Sequence, residues 1–121
     1  MSNRKMNLSK DGKDILDLAE AELELERPLV IKVALAKGLS SEEQTIVDAS
    51  STPKWTIPDN IIKNEEFLMF KHLIIHKANK PLNEEDVHKQ MIFYIEKGLR
   101  LLKQSFQQKG SISDSRLAIL N

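Results

Sequence analysis

The sequence predicts a mostly α-helical protein: a ribbon-helix-helix variant, with a short N-terminal strand followed by helices and a helical C-terminal extension. Three observations predict it. A basic segment of alternating polarity, Arg4-Lys5-Met6-Asn7-Leu8, runs directly into an amphipathic helical stretch. A second helical stretch follows at once, opened by Pro28 and closed by Lys37-Gly38-Leu39. Late in the chain, Val87, Met91, Ile95, Leu99, Leu102 and Phe106 recur at three- and four-residue steps. A strand-helix-helix unit usually needs a second copy of itself to complete a core, and it often sets a two-stranded ribbon against DNA. The order therefore points to an oligomeric nucleic-acid module.

Each element follows from local chemistry. Ser9 suits the N-cap of a first helix over Lys10 to Glu26, with Ile15, Leu18, Ala19 and Glu22 on one face and Leu16 and Leu23 on a flanking row. Its end carries Glu20, Glu22, Glu24 and Glu26, which oppose the helix dipole, so it should fray unless a cation such as Arg27 answers it. Leu29 to Leu35 are apolar except for Lys32, which places the second helix at the centre of the core or in a dimer interface. Gly38 is expected to supply a left-handed C-cap.

Residues 40–63 read less regularly. Ser40-Ser41-Glu42-Glu43 suits a helical turn, residues 48–53 read as an exposed loop, and Trp55 and Ile57 between Pro53 and Pro58 favour an extended anchor. Asn64 is expected to cap a third helix over 65–78, a turn covers 79–82, and Asn83 opens the last helix, to about residue 108. Gly98 inside the last stripe weakens that helix by about 1 kcal/mol against alanine, which close approach of another backbone would offset. The N-terminal strand and the second helix are the two candidates for that neighbour. Ser115 to Leu120 suit a final short turn.

Composition narrows the function classes. The 121 residues suit one domain, with residues 4–39 as the ribbon-helix-helix unit and residues 64–109 as a helical hairpin. Eighteen basic and eighteen acidic side chains cancel, so attraction to a polyanion must come from a local patch. The absence of cysteine excludes disulfides, thiolate metal sites and thiol nucleophiles, and it favours a cytoplasmic location. The first residues precede no apolar core, so no secretory signal is expected, and no apolar run approaches membrane-spanning length.

Catalytic chemistry finds little material. His72 and His76 stand one helical turn apart, a spacing that could present two imidazoles to one metal, but Leu73 occupies the place where a metalloprotease needs glutamate. Lys71 and Lys77 flank the pair, nothing in the sequence brings His88 or Glu65 to it as a third ligand, and exposed surface histidines are the plainer reading. Glu65-Glu66 and Glu84-Glu85-Asp86 fall where helices begin, and dipole stabilisation accounts for them. Four scattered glycines build no phosphate loop. No active site, metal or cofactor is expected.

The basic residues carry more. Arg4, Lys5, Lys10 and Lys13 gather around the strand and the first helical turn. Pairing of the strand with that of a second copy would turn Lys5 and Asn7 to one side and Met6 and Leu8 inward. Lysine meets phosphate and asparagine can read adenine, so Arg4, Lys5, Asn7, Lys10 and Lys13 are the expected DNA contacts. Lys97, Arg100 and Lys103 recur every third residue on the last helix as a secondary basic patch, and Lys71, Lys77 and Lys80 form another; solvated helix faces are the plainer reading of both.

Arg4 to Ser9, then Arg27 to Leu39 (RPLVIKVALAKGL), then Phe70 to Ile74 (FKHLI) and Ile95 to Leu102 (IEKGLRLL) together resemble the DndE family of small DNA sulfur modification proteins. The likeness runs in order along nearly the whole chain, making residues 1–121 a single DndE-like domain. It implies a non-catalytic DNA-binding or scaffolding subunit of a bacterial DNA phosphorothioation system, in which sulfur replaces a non-bridging phosphate oxygen. It implies oligomers (dimer or tetramer), DNA with nicked duplexes as one form, and separate partner proteins for the sulfur chemistry. One departure stands out: where some relatives carry lysines late in the first helix, this chain has Glu20, Glu22, Glu24 and Glu26. Two other readings fit the residues. An antitoxin-like ribbon-helix-helix repressor accounts for residues 4–39 but not for the C-terminal region. A protein adaptor without DNA binding suits the zero net charge and the acidic first helix.

Overall fold

The computed structural model describes residues 6–109. Their order is β1 (Asn7–Leu8), α1 (Lys10–Leu23), α2 (Arg27–Ser40), β2 (Trp55–Thr56), α3 (Asn64–Ala78) and α4 (Glu84–Lys109). The fold is mostly helical, with one two-stranded antiparallel sheet.

The axis of the fold is α4. Val87, Met91, Ile95, Leu99 and Leu102 are fully buried and Phe106 nearly so, as the periodicity predicts. Burying each such side chain contributes about 1.5–3 kcal/mol before conformational entropy is counted. The second helix lies antiparallel along this stripe, with Val30, Ile31, Ala34 and Leu35 fully buried. Its central place follows from its nearly continuous apolar run. The two backbones meet at glycines: a Cβ added to Gly98 would lie 1.7 Å from the Ala34 carbonyl oxygen, and one added to Gly38 would lie 2.1 Å from that of Tyr94. Of the two candidate neighbours for Gly98, the second helix is the one observed. Gly38 is not a left-handed cap. The helix continues to Ser40 with Ser41 as C-cap, and Gly38 serves close packing.

The first helix begins where expected, with the Ser9 hydroxyl accepting from the Gly12 N–H, but it ends at Leu23 instead of Glu26. Glu24 takes the left-handed conformation (φ 54°). Carboxylates crowding the negative end of the dipole give no support to a further turn. Arg27 answers that end as anticipated, donating from Nε to Glu20 Oε2 at 3.0 Å and from Nη2 to Asp17 Oδ1 at 3.2 Å.

The extended anchor after Pro53 is a strand, and it pairs with β1 of the same chain: Asn7 stands opposite Thr56 and Leu8 opposite Trp55. The Ile57 N–H donates to the Met6 carbonyl at 2.8 Å, and Thr56 Oγ1 donates to Asn7 Oδ1 at 2.7 Å. The expected alternation holds, with Leu8 fully buried and Asn7 exposed. Within the chain, the neighbour hydrogen-bonded to β1 is thus β2.

Lys63, not Asn64, is the N-cap of α3; its N–H donates to Glu66 Oε1. Asn79 ends α3 in the left-handed conformation, and Asn83 caps α4 through the Asp86 N–H at 2.8 Å. Residues 41–54 form no helical turn at Ser41; there the Ser41 hydroxyl accepts from the Glu43 N–H. Among the described residues no helix is long and apolar enough to cross a membrane. The expected final turn at 115–120 lies outside the described residues, as do Arg4 and Lys5.

Candidate nucleic-acid interface

The described part of the N-terminal cluster comprises Asn7, Lys10 and Lys13, and each already has a partner. Lys10 Nζ lies 2.8 Å from Asp14 Oδ2, and that hydrogen bond holds its pKa above the ordinary lysine value. Lys13 Nζ lies 2.8 Å from Asp17 Oδ1, and the same oxygen receives Arg27. Both cations also sit by the Trp55 ring, at 5.5 Å for Lys13 and 5.2 Å for Arg27. Asp17 is their common carboxylate, and Trp55 packs against the core. Asn7 uses one lone pair of Oδ1 on Thr56, so reading adenine with both amide atoms would compete with the ribbon's own bond.

The helix start beneath the ribbon is also internally satisfied. The Lys10 N–H donates to the Ser51 carbonyl at 3.2 Å and the Asp11 N–H to Ser51 Oγ at 2.9 Å. The Ser9 N–H and hydroxyl donate to Glu96 Oε2 and Oε1 at 2.8 and 3.1 Å. These N–H groups would otherwise offer a ready phosphate seat; here serine and glutamate fill it.

Glu96 is fully buried, and Arg100 Nη1 meets its Oε1 at 2.6 Å. Arg100 Nη2 reaches the Asp48 carbonyl at 3.0 Å, and Lys97 Nζ the Ser41 carbonyl at 3.1 Å. Of the three residues in the secondary basic patch, Lys97 and Arg100 thus fasten segment 41–54 to α4, and Lys103 is the one exposed to solvent. Sequence reasoning misses the Glu96–Arg100 cluster. Its only signal is an acid placed four residues before an arginine, beside a stripe of apolar residues.

Replacing Ser9 with alanine removes the helix cap and a donor to Glu96, and it should cost about 1–2 kcal/mol in urea unfolding. An unchanged midpoint would show that the hydroxyl contributes nothing to the junction.

The histidines stand apart from this cluster. His72 and His76 are exposed on α3, whereas His88 is buried, with its Nδ1 2.8 Å from the Glu84 carbonyl and its ring against Phe67. Among the described residues no three potential metal ligands gather. Comparison with protein-family models, with curated proteins and with solved structures returns no match.

Proposed function

We propose that this chain is a non-catalytic DNA-contacting and scaffolding subunit of a cytoplasmic, bacterial DNA phosphorothioation system, of the DndE kind and built on a ribbon-helix-helix variant. The observation that carries the reading is the anchored ribbon. Leu8 is buried, Asn7 faces outward, β2 holds the strand, and Glu96 holds Ser9 directly behind it. Arg4 and Lys5 immediately precede this fixed platform in the sequence. In this reading β2 takes one edge of a strand that a repressor of the antitoxin kind would pair with a second copy, which makes the repressor the weaker alternative.

A protein adaptor without DNA binding is favoured by one specific observation. Lys10, Lys13 and Arg27 are all matched by Asp14, Asp17 and Glu20, so the described part of the patch carries no excess positive charge.

Titration of the full chain against intact and nicked duplexes of one sequence across a salt series separates the readings. A DNA-contacting subunit binds with affinity that falls linearly in log salt. The Lys5→Ala/Lys13→Ala variant should bind more weakly and with a shallower slope, by about 0.9 for each phosphate it no longer neutralises. A preference for the nicked duplex supports the sulfur-modification role. No binding at low salt overturns DNA contact and leaves the adaptor.

A further inference from the structure

The third helix carries two exposed imidazoles and an exposed thioether on one stripe. Phe70 and Ile74 are its buried side chains, whereas Met69 is 50% exposed and His72 and His76 also face solvent. Met69, His72 and His76 follow one another at steps of three and four, within about 60° of the helix circumference. Side chains so spaced are neighbours, with successive Cβ atoms about 5–6 Å apart. Met69 and His76 also line a common groove of about 400 Å³, with Leu73 beside them and Ala36 and Leu39 of α2 across from them. Leu68 and Leu73, both about half exposed, border the stripe on either side.

Flanking lysines and the want of a third ligand weigh against a cation when the sequence is read alone. Both weigh less in the fold. Lys77 is turned to Glu42, with Nζ 3.9 Å from Oε1, and Lys71 stands at least about 100° round the helix from each of the three donors. No three histidine, aspartate or glutamate side chains gather among the described residues, but the Met69 sulfur is a donor of another kind.

We propose that Met69, His72 and His76 bind one cuprous ion. A thioether with two imidazoles is a soft donor set, whereas magnesium and calcium take oxygen ligands. All three donors are uncharged when they bind, and the leucine border lowers the local dielectric, so a single positive charge is accommodated at less cost than a double one. The three donors span two helical turns, so the ion binds the helical form alone and adds support to a helix that buries two side chains. The site is separate from the ribbon and does not depend on DNA contact.

Anaerobic titration of the full chain with cuprous ion, kept reduced by ascorbate and competed against a chromogenic cuprous chelator, tests it. One ion should bind per chain. His72→Asn and His76→Asn should each weaken binding about tenfold or more. Met69→Leu should weaken cuprous binding by a similar factor yet leave nickel(II) binding unchanged, because nickel needs only the imidazoles. The three side chains are exposed, so these variants should fold, which circular dichroism checks. Amide exchange over residues 69–76 should slow when the ion is bound. Three outcomes overturn the proposal. They are no cuprous binding at about 100 μM chain, where even weak specific binding would show; binding indifferent to His72→Asn, which would place the ion elsewhere; and a Met69→Leu variant that binds cuprous ion as tightly as wild type.

Discussion

Gly98→Ala should destabilise the protein by about 2–4 kcal/mol, even though alanine is the better helix former by about 1 kcal/mol. The added methyl carbon would stand 1.7 Å from the Ala34 carbonyl oxygen, 2.5 Å from its carbon and 2.9 Å from its Cα. All three atoms are backbone within a helix, so no rotamer change relieves the clash and the two helices must move apart. That movement loosens packing along a seam in which Val30, Ala34, Ile95 and Leu99 are all fully buried, and dispersion attraction weakens steeply with sub-ångström gaps. Against a total stability of about 5–15 kcal/mol for a domain, the loss is severe. Gly38→Ala acts on the same seam, so the double variant should cost less than the sum of the two single ones. Urea unfolding, with exposed Gln104→Ala as a reference, measures this; unchanged or increased stability for Gly98→Ala would rule out the close helix–helix contact.

The seam shows what a sequence reveals and what it hides. An apolar stripe broken by one glycine signals close backbone approach, because glycine in a helix interior is unfavourable without a compensating contact. The mate could then be narrowed to two segments, and the nearly all-apolar α2 was one of them. Gly38 carried an ambiguous signal: Lys-Gly-Leu at a helix end reads as a cap, and only its facing of Tyr94 shows the helix continuing to Ser40. The ends of α1 and α3 slipped for similar reasons. Capping depends on where the backbone leaves the helix, and Glu24 and Lys63 have no side chain that announces it.

The candidate site was less legible than the fold. Lysines at 10 and 13 imply a basic patch only while Asp14 and Asp17 are overlooked, although each acid stands four residues on, at ion-pairing distance along the helix. That much was local and readable. The long-range half was not: Ser51 at the start of α1, Asp48 on Arg100 and Trp55 beneath Lys13 and Arg27 depend on how segment 41–54 crosses the molecule. No periodicity encodes that path, since such a segment follows its hydrogen bonds and not an apolar face.

Glu96→Ala should cost about 3–5 kcal/mol, because it removes one partner of a buried ion pair and leaves the other in place. Three groups lose their acceptor at once: the Ser9 N–H, the Ser9 hydroxyl and Arg100. Arg100→Ala should be comparably severe, since it leaves a fully buried carboxylate without its cation, held by Ser9 alone, and also frees the Asp48 carbonyl. Glu96→Gln keeps an acceptor but not the charge, so its loss should be smaller. The cluster joins the ribbon, the start of α1 and segment 41–54 at one point, which gives the variants a second signature. Amide exchange should rise first at residues 7–11 and 48–52, at denaturant levels where the α2–α4 seam is still protected. Under the DNA-contacting reading, Glu96→Gln should also weaken duplex binding without altering its salt slope, because the phosphate-facing charges remain while their platform loosens. Uniform exchange across ribbon and seam would show that Glu96 supports the whole core and not this junction. A changed salt slope would place the carboxylate's influence on the bound phosphates themselves.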